Sequence, residues 1–130
     1  MRKFLKIMAL VLICIIALSA MTSCGRMYEG VQKKARKADF VCNNIEYLQM
    51  SFLNESVRKF GITGEVKSAC YITNDFDEYA YLYEFDKVSA ASAFANNFSE
   101  ITDIRDESIE IRRDNKIVIA GKRSTLDKIW

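Results

Sequence analysis

The sequence predicts an α+β domain: a two-layer sandwich in which one four-stranded antiparallel sheet carries helices on one face, in the order α-ββ-α-ββ-α. Three observations point there. Apolar residues recur at three- and four-residue spacing in two segments, one after Gly30 and one after Asp86. Between and after them lie two pairs of short runs rich in β-branched and aromatic residues, each pair joined by a polar turn. Runs this short and hairpin-linked do not suit a parallel sheet, which needs long crossovers.

The elements follow in order. Val31, Ala35, Ala38, Cys42 and Ile45, widened by Val41, Leu48, Phe52, Leu53, Val57 and Phe60, predict one long amphipathic helix over 31–60 that Gly61 ends. Asn54 to Ser56 mark a possible break, because these residues favour caps over helix interiors. Segments 65–73 and 79–85 read as strands of an antiparallel hairpin turning through 74–78. Val88, Ala91, Phe94, Ala95, Phe98 and Ile101 predict a second helix capped by Asp86 or Ser89. A second hairpin pairs 108–113 with 116–120 around Asp114 and Asn115, residues that tolerate a left-handed backbone. Gly121 is expected to break that strand. Ser124 with Asp127 then reads as a capping pair opening a short helix, whose Leu126, Ile129 and Trp130 dock on the core.

The start of the chain carries an address. Arg2, Lys3 and Lys6 precede an apolar run over 7–21, closed by Thr22, Ser23, Cys24 and Gly25. The run is shorter than the ~20 residues a membrane-crossing helix requires and fits the ~7 to 15 of a secretion signal. The stretch resembles a bacterial lipoprotein signal peptide. That resemblance implies cleavage before Cys24, a diacylglyceryl group on its sulfur, and an extracytoplasmic protein anchored in the cell membrane. The expected organisation is a cleaved leader over 1–23, a lipidated tether over 24–30 and a single domain over 31–130.

Composition narrows the chemistry. Loss of three basic and no acidic residues with the leader would take the formal charge from +2 to about −1, so no nucleic-acid partner is expected. The chain has no histidine, which excludes His-based triads, a His general base and His-containing zinc sites. It has no proline either.

Several residue groups invite a function. Arg26, Lys33, Lys34, Arg36 and Lys37 follow the anchor and either lay the first helix on an anionic leaflet or form a solvated face. Cys42 and Cys70 are the thiols left after lipidation. In the long-helix reading they come out about 7 Å out of level at ~1.5 Å per helical and ~3.3 Å per strand residue, so they form a disulfide only if the helix bends and are otherwise small core hydrophobes. Asn74, Asp75, Asp77 and Glu78 lack the pattern of a calcium loop and read as a hairpin tip. Tyr79, Tyr81, Tyr83 and Phe85 share one strand face, which is either an open aromatic strip with Glu110 and Arg112 at its rim or core beneath the second helix. No metal or cofactor is expected.

Together these features predict a membrane-anchored envelope lipoprotein, a non-catalytic binding or accessory module for an envelope protein or component. The alternatives are a small envelope hydrolase using carboxylate or lysine chemistry and a structural subunit of an envelope complex.

Overall fold

The computed structural model describes Lys3, Lys6 and residues 25–130, so the apolar run of the leader and Cys24 lie outside the described residues. The first helix, α1 (Tyr28–Lys37), buries Tyr28, Val31, Gln32 and Ala35, one stripe at helical spacing. It stops much earlier than its apolar pattern suggests. Asp39 takes a left-handed conformation at φ 66°, and the Asp39 and Phe40 amides donate to the carbonyls of Arg36 and Ala35 at 3.1 and 3.0 Å. This is a Schellman motif with aspartate where glycine is usual, and the buried pair Ala35 and Phe40 closes it.

The long helix over 31–60 is therefore two helices with a strand between them. Strand β1 (Val41–Asn44) follows Phe40, and α2 (Tyr47–Lys59) follows β1. Gly61, at φ 93°, ends α2 as expected, with Gly61 and Ile62 donating to Arg58 and Val57. The helix runs unbroken through Asn54. The amide of Asn54 instead grips the start of the next strand, accepting from the Val66 amide at 2.7 Å and donating to its carbonyl at 3.2 Å.

The hairpin of β2 (Val66–Thr73) and β3 (Tyr79–Phe85) forms as its pattern predicts. Asn74 organises the turn by accepting from the Phe76 and Glu78 amides, both at 3.0 Å. The second apolar segment divides at Asn97 into α3 (Val88–Asn96) and α4 (Phe98–Thr102). Neither Asp86 nor Ser89 caps it: Lys87 precedes the helix, Ser89 lies inside it, and Asp86 accepts from the Glu65 amide at 2.9 Å.

Strands β4 (Ile109–Asp114) and β5 (Ile117–Lys122) pair Asp114 with Ile117, so the two-residue turn is Asn115 and Lys116, one position later than expected. Asn115 supplies the left-handed conformation at φ 56°. Gly121 continues β5 rather than breaking it. A β-carbon there would meet the Tyr79 carbonyl at 3.0 Å and Leu126 at 3.2 Å, so glycine lets the last helix, α5 (Arg123–Ile129), pack close to the sheet. Ser124 and Asp127 form no cap; Lys122 precedes α5, and Asp127 pairs with Arg112 at 2.7 Å.

The domain is α+β, with one antiparallel sheet of five strands ordered β1-β2-β3-β5-β4. The expected four strands lacked β1. Helices cover both faces, not one. On the first face Cys70, Ile72, Ala80, Leu82, Ile117 and Ile119 meet α1 and α5. On the second, Val66, Ala69, Tyr83, Phe85, Val118 and Ala120 meet α2, α3 and α4. The molecule is thus a three-layer sandwich. Its sequence-level cue is the unbroken apolar run Ile117, Val118, Ile119, Ala120, all buried, since a strand covered on both faces cannot alternate.

The segment expected as a tether is folded from Gly25 onward. Arg26 binds Asp114 at 3.0 Å, donates to the Trp130 carbonyl at 3.1 Å and stacks 4.5 Å from the centre of the Trp130 ring. Trp130 accordingly packs against the core from its edge, half covered, while Leu126 and Ile129 are fully buried.

Cys42 and Cys70 are free thiols. Both sit on the first face, yet Cys42 lies opposite Ile72 and Cys70 opposite Asn44, which makes them diagonal neighbours. Diagonal pairs are ~7 to 8 Å apart, beyond the reach of an unstrained bridge. Burial, and secondarily the neighbouring Cys70, pushes the Cys42 thiol pKa up, so it stays protonated and slow to oxidise. Thermal melts are therefore expected to be unchanged by reductant; a marked drop with dithiothreitol would reveal a bridge.

Glu78 joins the first hairpin to α5. Its carboxylate accepts from Lys128 at 2.8 Å, from Asn74 at 3.0 Å and from Thr125 at 3.3 Å. The Lys128 ammonium foremost, then the Asn74 amide, holds this carboxyl below its usual pKa. A depressed folded-state value means a contribution present above the ordinary carboxylate range of about 4.3 and lost as pH falls through the folded value. Acidification below about pH 4 should lower the melting temperature, and Glu78→Gln should lower it at neutral pH while flattening that acid dependence. Parallel melts from pH 7 to pH 3 check both.

Candidate functional site: an uncharged aromatic cleft

The second face of the sheet is only partly roofed. Helices α3 and α4 cover the end where Tyr83, Phe85 and Phe94 pack, with ring centres 4.9 Å apart for Tyr83 and Phe94 and 5.0 Å for Phe85 and Phe94. The other end stays open. There Tyr71 and Tyr81 lie directly opposite each other on β2 and β3, their ring centres 5.2 Å apart, and Tyr79 stands 5.8 Å from Tyr81.

The tyrosine strip predicted from alternation is therefore split. Tyr83 is core, 4% exposed, whereas Tyr79 and Tyr81 are half-buried. Tyr71, which was not expected to belong, joins the open part. Glu110 and Arg112 do not border it, because they project from β4 on the first face, opposite Gly121 and Ile119. There Arg112 bridges Glu110 and Asp127, both at 2.7 Å, and Arg123 adds a contact to Glu110 at 3.3 Å. These four charges clamp α5 to the sheet edge.

At the margin of the roof the open end becomes a cleft of about 620 Å³. Its floor is Tyr71, Tyr81 and Tyr83; one wall is α2, through Gln49, Phe52, Leu53 and Ser56. The end of α4 supplies Ile101 and Thr102 opposite, and the end of β1 supplies Asn43, Asn44 and Ile45. None of these residues is charged.

Three features of the cleft are not explained by stability. Phe52 on the α2 wall remains 66% exposed, Leu48 one turn before it and outside the cleft is 67% exposed, and Val57 alone among α2 residues is fully buried. The side chain of Asn43, which lies opposite Tyr71, hydrogen-bonds to no described residue, and Gln49 uses only its oxygen, accepting from the Glu46 amide at 3.4 Å. The hydroxyl of Tyr83 likewise has no hydrogen-bond partner among the described residues, although its ring is enclosed. Burial foremost pushes the pKa of both Tyr81 and Tyr83 upward, so these phenols stay protonated donors across the physiological range.

Lys33, Lys34, Arg36 and Lys37 are exposed on the outer side of α1, while Arg26 is engaged with Asp114 and Trp130. At the hairpin tip Asp77 takes the left-handed turn position at φ 59°, and Phe76 is 84% exposed. Among the described residues no three metal-binding side chains converge, and no helix is long and apolar enough to cross a membrane. A smaller cleft of about 400 Å³ beyond α4 borders the charged loop Arg105, Asp106, Glu107, where Asp106 is occupied by Ser108. Comparison with protein-family models, curated proteins and solved structures finds no match.

Proposed function

We propose that this chain is a membrane-anchored module of a bacterial cell envelope that binds an uncharged partner in the Tyr71, Tyr81 and Phe52 cleft and catalyses no reaction. The carrying observation is the exposure of Phe52 beside an aromatic floor that no charged residue lines, with Leu48 equally exposed one turn before it on α2. Apolar side chains left open on a helix wall cost solubility and add little to folding, so they mark a contact surface. The cleft offers nothing for hydrolysis: its Ser56 hydroxyl donates to the Phe52 carbonyl at 3.1 Å, and no carboxylate or lysine reaches it. Three carboxylates elsewhere are held in ion pairs, Glu78 with Lys128, Glu110 with Arg112 and Asp114 with Arg26.

Lipidation of Cys24 would seat the domain directly on the bilayer, because Arg26 is already held by the fold. The exposed bases of α1 would then face an anionic leaflet at ~1 kcal/mol each. Cys24→Ala should release the protein from the membrane fraction.

The reading is tested with a photoreactive phenylalanine at position 52 in cells. Position 76, as exposed but remote on the hairpin tip, is the control. A defined adduct from 52 and none from 76 is expected. Equal labelling from both positions would overturn the cleft as the binding site.

A further inference from the structure

We infer that the cleft takes a neutral chain of N-acetylated hexosamine units, with a pyranose ring laid on the Tyr71 and Tyr81 pair and acetamido groups met by Asn43 and Gln49. This rests on the reading of the cleft as the binding site and names the class of ligand.

The lining sets the chemistry by elimination. An anionic or cationic ligand would leave water for a cleft holding no opposite charge, at a cost nothing there offsets. A purely apolar ligand, such as an acyl chain, would cover the side-chain amides and the Tyr83 hydroxyl and leave them unpaired, with the desolvation cost of each group uncompensated. An extended peptide binds a sheet by pairing with an edge strand. Here Tyr71 and Tyr81 present the face of two central strands whose backbone groups are already paired.

A sugar ring meets each requirement. One side of a pyranose is a patch of C–H groups that packs on an aromatic ring, and its rim carries hydroxyls that both donate and accept. Tyr71 and Tyr81 stand side by side, tilted 34°, as a stepped floor instead of a closed stack. Around them lie the Asn43 and Gln49 amides, which donate and accept, and the uncharged Tyr83 hydroxyl, which has no hydrogen-bond partner among the described residues. The acetamido group adds a methyl, for which Phe52 and Leu53 give an apolar seat, and an amide, for which Gln49 has its nitrogen free.

Isothermal titration of the full lipoprotein in detergent tests this with chitohexaose, a β-linked N-acetylglucosamine chain, against cellohexaose, the same backbone without acetamido groups. Saturable binding of chitohexaose is expected, about tenfold weaker for cellohexaose, which corresponds to about 1.4 kcal/mol. Tyr81→Ala should weaken it about tenfold or more. Asn43→Ala, at an exposed edge position that the fold does not need, should weaken it severalfold with an unchanged melt. Absence of saturable heat at millimolar chitohexaose, or affinity equal to the parent's in both Asn43→Ala and Tyr81→Ala, would overturn the saccharide assignment. The position-52 crosslink separates the two levels. A crosslink to a polypeptide or to a second copy of this chain, with no chitohexaose binding, overturns the ligand class and leaves the cleft standing. Loss of both the adduct and the binding overturns both.

Discussion

Replacing Phe94 with alanine is expected to cost about 3 to 5 kcal/mol of folding stability, the range for truncating a large buried aromatic. Phe94 is fully buried and is the hub of the second core, with ring centres 4.9, 5.0 and 5.6 Å from Tyr83, Phe85 and Phe98. It is brought there by Ala90 and Ala91, which let α3 approach the sheet closely. Three aromatic contacts are lost and a cavity is opened, against a total of about 5 to 15 kcal/mol for a typical domain. Phe94→Leu should cost distinctly less, because it keeps most of the volume. Urea melts of the two variants beside the parent check the size and the order of these losses.

Tyr83→Ala and Tyr81→Ala should part company, although the two residues stand on the same strand face. Tyr83 packs edge-on against Phe94 and Phe98 and is enclosed, so its truncation is expected to cost about 3 to 5 kcal/mol of stability. Tyr81 touches only its fellow tyrosines Tyr71 and Tyr79 among the aromatic rings. Its loss should cost the fold markedly less, and cost affinity for the bound partner about 1 to 3 kcal/mol, as at an aromatic hot spot. Urea melts and binding isotherms of both variants separate the structural ring from the recognition ring. Equal destabilisation would place Tyr81 in the core as well.

The hairpins were legible in the sequence because their signals are local. The turn over 74–78 and the left-handed tolerance of Asn115 act within a few residues, and the strands they join came out within a residue or two. The layer count was not legible from helix periodicity, since both sets of helices are amphipathic whichever face they cover. The run from Ile117 to Ala120 held that information in another form. Strand β1 was hidden because Val41 and Ile45 happen to continue the helical spacing, while the stop signal is an aspartate at a position where glycine is usual.

That error also concealed the site. Leu48 and Phe52 fit the core stripe only of a helix that does not exist; both are exposed on α2, and Phe52 walls the cleft. Tyr71 could have been found by counting outward from Phe76 at the centre of the first turn, which sets it opposite Tyr81. Glu110 and Arg112 were misplaced for a different reason. Alternation within β4 shows which residues share a face but not which face the helix after β5 will cover.

The central claim is that the cleft wall is open for a partner and is no part of the core. The unfolding free energy of the Leu48→Ser, Phe52→Ser double variant tests it most directly. Substitutions at exposed sites away from any structural role shift stability by no more than about 0.5 kcal/mol each, and removing exposed apolar surface can raise solubility. The expected result is therefore stability within about 1 kcal/mol of the parent, with partner binding lost. A loss of about 3 kcal/mol or more would show that these side chains belong to the folded core, and would contradict the cleft as a binding site.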